Sequence, residues 1–229
     1  MHFPISQLNT IFDSSKLIRG IISIWGDFGI GKTTLALQSA INTAKFNKVI
    51  FIYTKPDLPY EKIGKFLEDD NSDVLNNILF ISTPDFLDLN KIVLNLEFLI
   101  LHYLREQNIA LKLIVVDSIT DLYRLELNRE KKEKNVTLNY QLNQLLANLN
   151  YINEKYVIEV LIVNELSRRN YEDSIKEVQS GGKVMDYWID YSIKISRTKK
   201  LNTRNIVLTK HPEMKNHQFL CNITENGFK

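Results

Sequence analysis

The sequence predicts an α/β fold: a mainly parallel, twisted sheet flanked by helices, with antiparallel strands added at its C-terminal side. Three observations predict it. Short apolar runs rich in β-branched residues alternate with stretches of helical period, the pattern of a parallel sheet. A glycine-rich segment, Gly26 to Thr33, lies between the first such run and the first helix. From residue 190 on the alternation gives way to short strand-like runs, 190–196, 205–210 and 218–223, spaced as hairpins.

Taken in order, residues 21–25 form an apolar run that reads as a buried strand, and 34–38 are good helix formers. A second buried strand is expected at 49–53, a short helix at 60–67, and a third strand at 78–82. Residues 86–105 have the period of a long amphipathic helix, and 112–117 are a continuous apolar run closed by an acid. In 137–156, Leu138, Leu142, Leu145, Leu146 and Leu149 recur at helical spacing, and 157–164 read as a fifth strand. No linker and no internal repeat divides the chain, so one domain spanning residues 1–229 is expected.

The 229 residues suffice for one α/β core. A 44% hydrophobic and 24% charged composition is that of a globular protein, and a net charge of +2 neither demands nor excludes nucleic acid. The lone cysteine, Cys221, rules out an internal disulfide and fits a reducing cytoplasm. No signal peptide is apparent, and no uninterrupted apolar stretch reaches the roughly 20 residues of a membrane span, so no membrane partner is expected. No cysteine and histidine spacing suggests zinc.

The segment Gly26, Asp27, Phe28, Gly29, Ile30, Gly31, Lys32, Thr33 satisfies the pattern of a phosphate cradle, in the strand–loop–helix context that it requires. Glycines let successive N–H groups turn inward onto phosphate oxygens, and the helix N-terminus adds partial positive charge. Thr34 continues the site into the helix. Lys32 is expected on the β- and γ-phosphates, and Thr33 on Mg²⁺. Asp117, ending an apolar strand, is the expected second metal-holding group. ATP with Mg²⁺ is therefore the expected ligand. Lys55 and Asn164-Glu165, at the ends of other strands, are further candidates, because open α/β sheets bind ligands at the carboxyl ends of their strands.

The chain resembles the RecA/RadA superfamily of recombinase ATPases. The resemblance rests on Arg19-Gly20, the cradle, and the run from Asp117-Ser118-Ile119-Thr120-Asp121 to Leu122-Tyr123-Arg124-Leu125-Glu126. It continues through Val163-Asn164-Glu165, Gly181-Gly182-Lys183-Val184-Met185-Asp186-Tyr187-Trp188, Leu208-Thr209-Lys210-His211-Pro212-Glu213 and Ile223-Thr224-Glu225-Asn226-Gly227-Phe228. The Tyr-Trp and Lys-His pairs are most similar to the archaeal RadB group and related RadA paralogues. The resemblance implies a RecA-like core, a role in DNA repair, and two mobile DNA-contacting loops at 124–135 and 166–180. Candidate DNA contacts are Arg124, Arg129, Lys131 and Lys132 in the first, and Arg168, Arg169 and Tyr171 in the second, where cations meet phosphates and a ring stacks on a base. A basic cluster of Lys194, Arg197, Lys199, Lys200 and Arg204 reads as a hairpin tip facing DNA or a neighbouring subunit. The resemblance further implies that Lys62 lies over the adenine, that the 210–212 segment caps a neighbour's nucleotide, and that a main recombinase of the RadA type is a partner.

Two departures from the family pattern change the expected chemistry. Lys55 stands where relatives have a water-activating Glu, and Glu165 where they have a γ-phosphate-sensing Gln. A lysine accepts no proton from water unless its pKa falls far below about 10. The expectation is ATP binding with slow hydrolysis, Lys32, Lys55 and Glu165 being the catalytic candidates and Lys55 and Glu165 facing each other across the γ-phosphate as a charge-swapped pair; Asp57 is a substitute base. The cradle begins at residue 26, so no N-terminal DNA-binding domain is expected, and neither Phe3 nor Phe12 has Ala three positions on, the family's subunit-linking pattern. Three readings stay open: a recombinase paralogue that is a weak DNA-dependent ATPase on single-stranded DNA, a pseudo-ATPase interaction module, or a KaiC-like ATPase without DNA.

Overall fold

The apolar runs fold as their residue types predict. In a computed structural model the chain is described over residues 1–12, 18–67, 72–106, 110–127, 130, 132–171, 174–212 and 217–229. The order is α1 (Ser6–Ile11), β1 (Ile21–Gly26), α2 (Lys32–Ala44), β2 (Lys48–Tyr53), α3 (Tyr60–Phe66), a 3₁₀ turn (Ser72–Asn77), β3 (Ile78–Ser82), α4 (Phe86–Glu106) and β4 (Leu111–Asp117). There follow α5 (Asp121–Glu126), α6 (Lys132–Tyr156), β5 (Glu159–Tyr171), β6 (Ser174–Gln179), α7 (Gly182–Trp188), β7 (Ile189–Arg197), β8 (Thr203–Lys210), β9 (Gln218–Thr224) and β10 (Gly227–Phe228).

Among the described residues one ten-stranded sheet runs β10-β9-β8-β7-β1-β5-β4-β2-β3, with β6 off this path and paired to β5. From β3 to β7 the neighbours are parallel, and β8, β9 and β10 extend the sheet antiparallel. Side chains alternate across the pleat, which divides the core. Ile22, Ile24, Phe51, Val115 and Leu161 face α2 on one side, while Ile21, Ile50, Ile52, Ile114, Val116, Val160 and Ile162 face α4 and α6 on the other. Helix α2 is buried along most of its length. Its hydroxyls Ser39 and Thr43 donate to the carbonyls four residues back, Leu35 and Ser39, at 2.7 Å each, so both buried hydroxyls are satisfied.

Several elements depart from the sequence reading. The fifth strand starts at Glu159 and continues past Asn164 to Tyr171, where it turns back through β6. The expected mobile loop at 166–180 is therefore mostly a regular hairpin, in register from Leu166↔Gln179 to Tyr171↔Ser174. Its charged residues read as loop, yet in an antiparallel ribbon they alternate onto two open faces and leave the backbone free to pair. In the expected first loop, the ends of α5 and α6 absorb both flanks.

Candidate nucleotide site and nucleic-acid face

The carboxyl edge of the parallel strands gathers the site. Register aligns Gly26 with Glu165, Asp117 with Val163, and Tyr53 with Asp117, so the residues following β1, β5, β4 and β2 emerge side by side. Gly31 caps α2 in the left-handed region at φ 107°, and Gly26 has φ 147°. A Cβ on Gly26 would meet the Ile195 carbonyl oxygen at 2.2 Å, so only glycine passes here and the loop can fold over the sheet end.

Beside the loop lies a cavity of about 570 Å³, within the range of small-molecule and cofactor sites. Gly29, Lys32, Thr33, Thr34, Lys55 and Lys62 line it, together with Phe28, Glu165 and residues of β9 and its following turn. Phe28 is 86% exposed at the rim, whereas Ile30 is fully buried and offers only its backbone. Asp57, the substitute base, is exposed and does not line this cavity.

Lys32 donates to the carbonyls of Gly26 (2.9 Å) and Asp27 (2.8 Å) and to Glu165 Oε2 (2.8 Å). Lys55 reaches Thr33 Oγ1 at 3.2 Å and the fully buried Asp117 Oδ1 at 3.3 Å. Lys55 and Glu165 line the same cavity, and each is paired with another residue, Glu165 with Lys32 and Lys55 with Asp117, as two crossed pairs. Strand order explains it: β5 lies next to β1 and β4 next to β2, so each lysine meets the carboxylate of the adjoining strand. Burial would lower the Lys55 pKa, but the Asp117 carboxylate, with Asp121, outweighs it and raises the pKa. Lys55 is therefore no base near neutral pH. Burial pushes the Glu165 carboxyl up, against the pull of Lys32.

A buried network fixes Glu165. Asn164 Oδ1 accepts from the Glu165 N–H (2.7 Å) and from Thr120, while its amide donates to Gln179 Oε1 (3.2 Å) and to the Ser180 carbonyl (3.0 Å). Gln179 in turn donates to Ser192 Oγ (2.9 Å), which accepts from the Trp25 indole (2.8 Å).

The oxygen set fits magnesium. Asp117 Oδ2 is buried without a hydrogen-bond partner, and Thr33 Oγ1 and Asp117 Oδ1 are close enough to share one cation. Magnesium is held by few protein groups and completes its shell with water and phosphate. Accordingly, no cluster of three or more metal-binding side chains occurs among the described residues.

The candidate DNA residues divide between two sides of the β5–β6 hairpin. Arg169 and Arg124 line a groove of about 370 Å³ with Tyr123, Asn139 and Lys183. The neighbouring Arg168 points the other way, 3.7 Å from Asp27 of the phosphate loop and 3.7 Å from Glu177. Lys132 is exposed at the start of α6. Arg129 and Lys131 lie outside the described residues, and of Tyr171 only the backbone is described. Sequence reasoning missed Lys183 as a groove residue; its place in the Gly181-Gly182-Lys183 turn beside the hairpin was the available signal.

The basic cluster resolves into distinct roles. Lys194 pairs with Glu177 (2.8 Å) and stacks over Trp25. Arg197 donates to the Phe28 carbonyl (3.3 Å) and Arg204 to the Ile30 carbonyl (3.1 Å), so the β7–β8 hairpin braces the phosphate loop. Lys199 and Lys200 occupy its exposed tip. Lys210 donates to the Asp186 carbonyl (2.8 Å) and to that of Ile189, and His211 stacks edge-on against Tyr191.

Sheet order and the glycine loop leading into Lys32 define a RecA-type α/β core. The family model described as Rad51 matches residues 5–229. The DNA repair and recombination protein RadB of Methanocaldococcus jannaschii is 32% identical over 214 residues, covering 92% of this chain and 93% of that one. RadB of Methanococcus maripaludis is 30% identical over 212 residues (91% and 90%), and RadB of Methanobrevibacter smithii 26% over 226 (97% and 92%). The chain belongs to the Rad51 family and is RadB-like. No helix among the described residues is long and apolar enough to cross a membrane.

Proposed function

We propose that this chain is an ATP-binding recombinase paralogue of the cytoplasm, a single RecA-like core that binds single-stranded DNA and modulates a main recombinase in DNA repair. The observation that carries the reading is Lys32 at the first turn of α2, beneath a glycine loop and at the wall of a nucleotide-sized cavity. In it, backbone amides of residues 26–33 and the α2 N-terminus receive the phosphates, and Lys32 exchanges Glu165 for phosphate oxygens. Thr33 and Asp117 would hold a magnesium ion where one is bound, and it would supply neutralising charge to the phosphates. Lys62 covers the base.

Hydrolysis is slow, because the group nearest the water-activating position is a permanently charged ammonium, and Glu165 repels rather than senses the γ-phosphate. The RadB relatives, named for DNA repair and recombination, support the DNA role. So does the groove that gathers Arg124, Arg169 and Lys183. ATP turnover with and without single-stranded DNA tests this reading, with Lys32→Ala as control. Slow turnover that DNA stimulates supports it; absence of turnover in both conditions favours the pseudo-ATPase module. DNA association that does not weaken as salt rises would contradict phosphate contacts.

A further inference from the structure

Lys55 is no ordinary loop lysine. The residue before it is tied to the end of β4 by backbone and side chain: Thr54 N–H donates to the Asp117 carbonyl (2.8 Å), Thr54 Oγ1 to the Ser118 carbonyl (3.0 Å), and Ser118 N–H back to Thr54 Oγ1 (2.8 Å). These bonds fix the root of the Lys55 side chain beside Asp117. Its ammonium then lies between Thr33 Oγ1 and Asp117 Oδ1, the pair of oxygens assigned above to magnesium.

We propose that the Lys55 ammonium is a built-in cation that stands in for magnesium between Thr33 and Asp117, so that the cavity accepts ATP without the metal. The inference rests on the nucleotide reading above and deepens it. Three arguments carry it. A tethered cation competes at an effective concentration that a free ion would have to match from solution. The Asp117 charge is already compensated, so a divalent ion gains less there than at a bare carboxylate. Lys55 also lines the nucleotide cavity while Asp117 is fully buried, so the positive charge offered to a triphosphate at this point is the lysine's own.

The test is equilibrium binding of ATP by calorimetry in EDTA and in saturating magnesium, for the wild type, Lys55→Met and Lys32→Ala. The wild type is expected to bind ATP with affinities within roughly threefold of each other in the two conditions. Lys55→Met is expected to lose about tenfold or more in EDTA and to recover when magnesium is added. A lysine that merely propped Thr33 and Asp117 would cost the same affinity in both conditions, and that result overturns the proposal. So does a wild type that binds ATP only with magnesium, a comparison that stands even where the variant fails to fold. A wild type silent in both conditions removes the nucleotide reading itself, a failure distinct from binding that requires the metal.

Discussion

Lys32 donates to Glu165 at 2.8 Å across the mouth of the phosphate loop, with the lysine 5% and the glutamate 12% exposed. A triphosphate must displace this carboxylate before it can use the ammonium. Glu165→Gln removes the competing charge and keeps an acceptor, and is expected to tighten ATP binding by about three- to tenfold. Burial raises the Glu165 pKa, so the fold favours its protonated form; its contribution to stability is present at acid pH and lost as pH rises through the folded value. Wild-type ATP affinity should therefore approach that of Glu165→Gln as pH falls from neutral into the mildly acidic range. Calorimetry of both proteins across that range checks it, the titration of ATP being common to the two.

Two glycine substitutions should have opposite signs. Gly31 has φ 107°, and a Cβ there would lie 2.6 Å from Ile223 Cδ1 and 2.9 Å from Phe228. Gly31→Ala is expected to destabilise by about 3 kcal/mol, from backbone strain and overpacking together. Gly64 lies within α3 with nothing near its would-be Cβ, and Gly64→Ala should add about 0.5 to 1 kcal/mol. Urea unfolding of the two variants measures the contrast.

Val157, half exposed between α6 and β5, has φ 61°, a left-handed conformation unfavourable for a β-branched residue by roughly 1–2 kcal/mol. Asparagine tolerates it. Val157→Asn should raise stability by about 1 kcal/mol, read as a shift in the urea midpoint at unchanged slope.

The contrast between Lys55 and the cradle shows where sequence reasoning ended. The cradle is local: residue types over eight positions, Gly26 to Thr33, set both its conformation and its chemistry. The parallel strands were equally legible, since each is a short apolar run bounded by polar residues. The crossed pairing of Lys32 with Glu165 and Lys55 with Asp117 depends instead on strand order, which brings residues 133 and 62 positions apart together. No spacing rule reads that. The hairpin at 166–179 was hidden for another reason: both of its faces are largely polar, so it lacks the alternation that marks a half-buried strand. Short α5 and α7 carry too few residues for a helical period and take their stability from packing on α4 and α6.

Cys221 is buried in β9, and burial pushes its thiol up to about 11, with Arg204 pulling weakly the other way. The fold disfavours the thiolate. Its contribution to stability is complete below the unfolded cysteine value of about 8.5 and is lost as pH rises through about 11. Folded protein at mildly alkaline pH should react with iodoacetamide at least about tenfold more slowly than urea-unfolded protein. Equal rates would show the thiol to be open.

The most direct measurement is calorimetric titration of ATP with magnesium into the folded wild type and into Lys32→Ala. The expected result is saturable heat with the wild type and its loss in the variant, both proteins unfolding cooperatively. A folded wild type that gives no heat, or a Lys32→Ala protein that binds equally well, contradicts a nucleotide site built on the loop at 26–33.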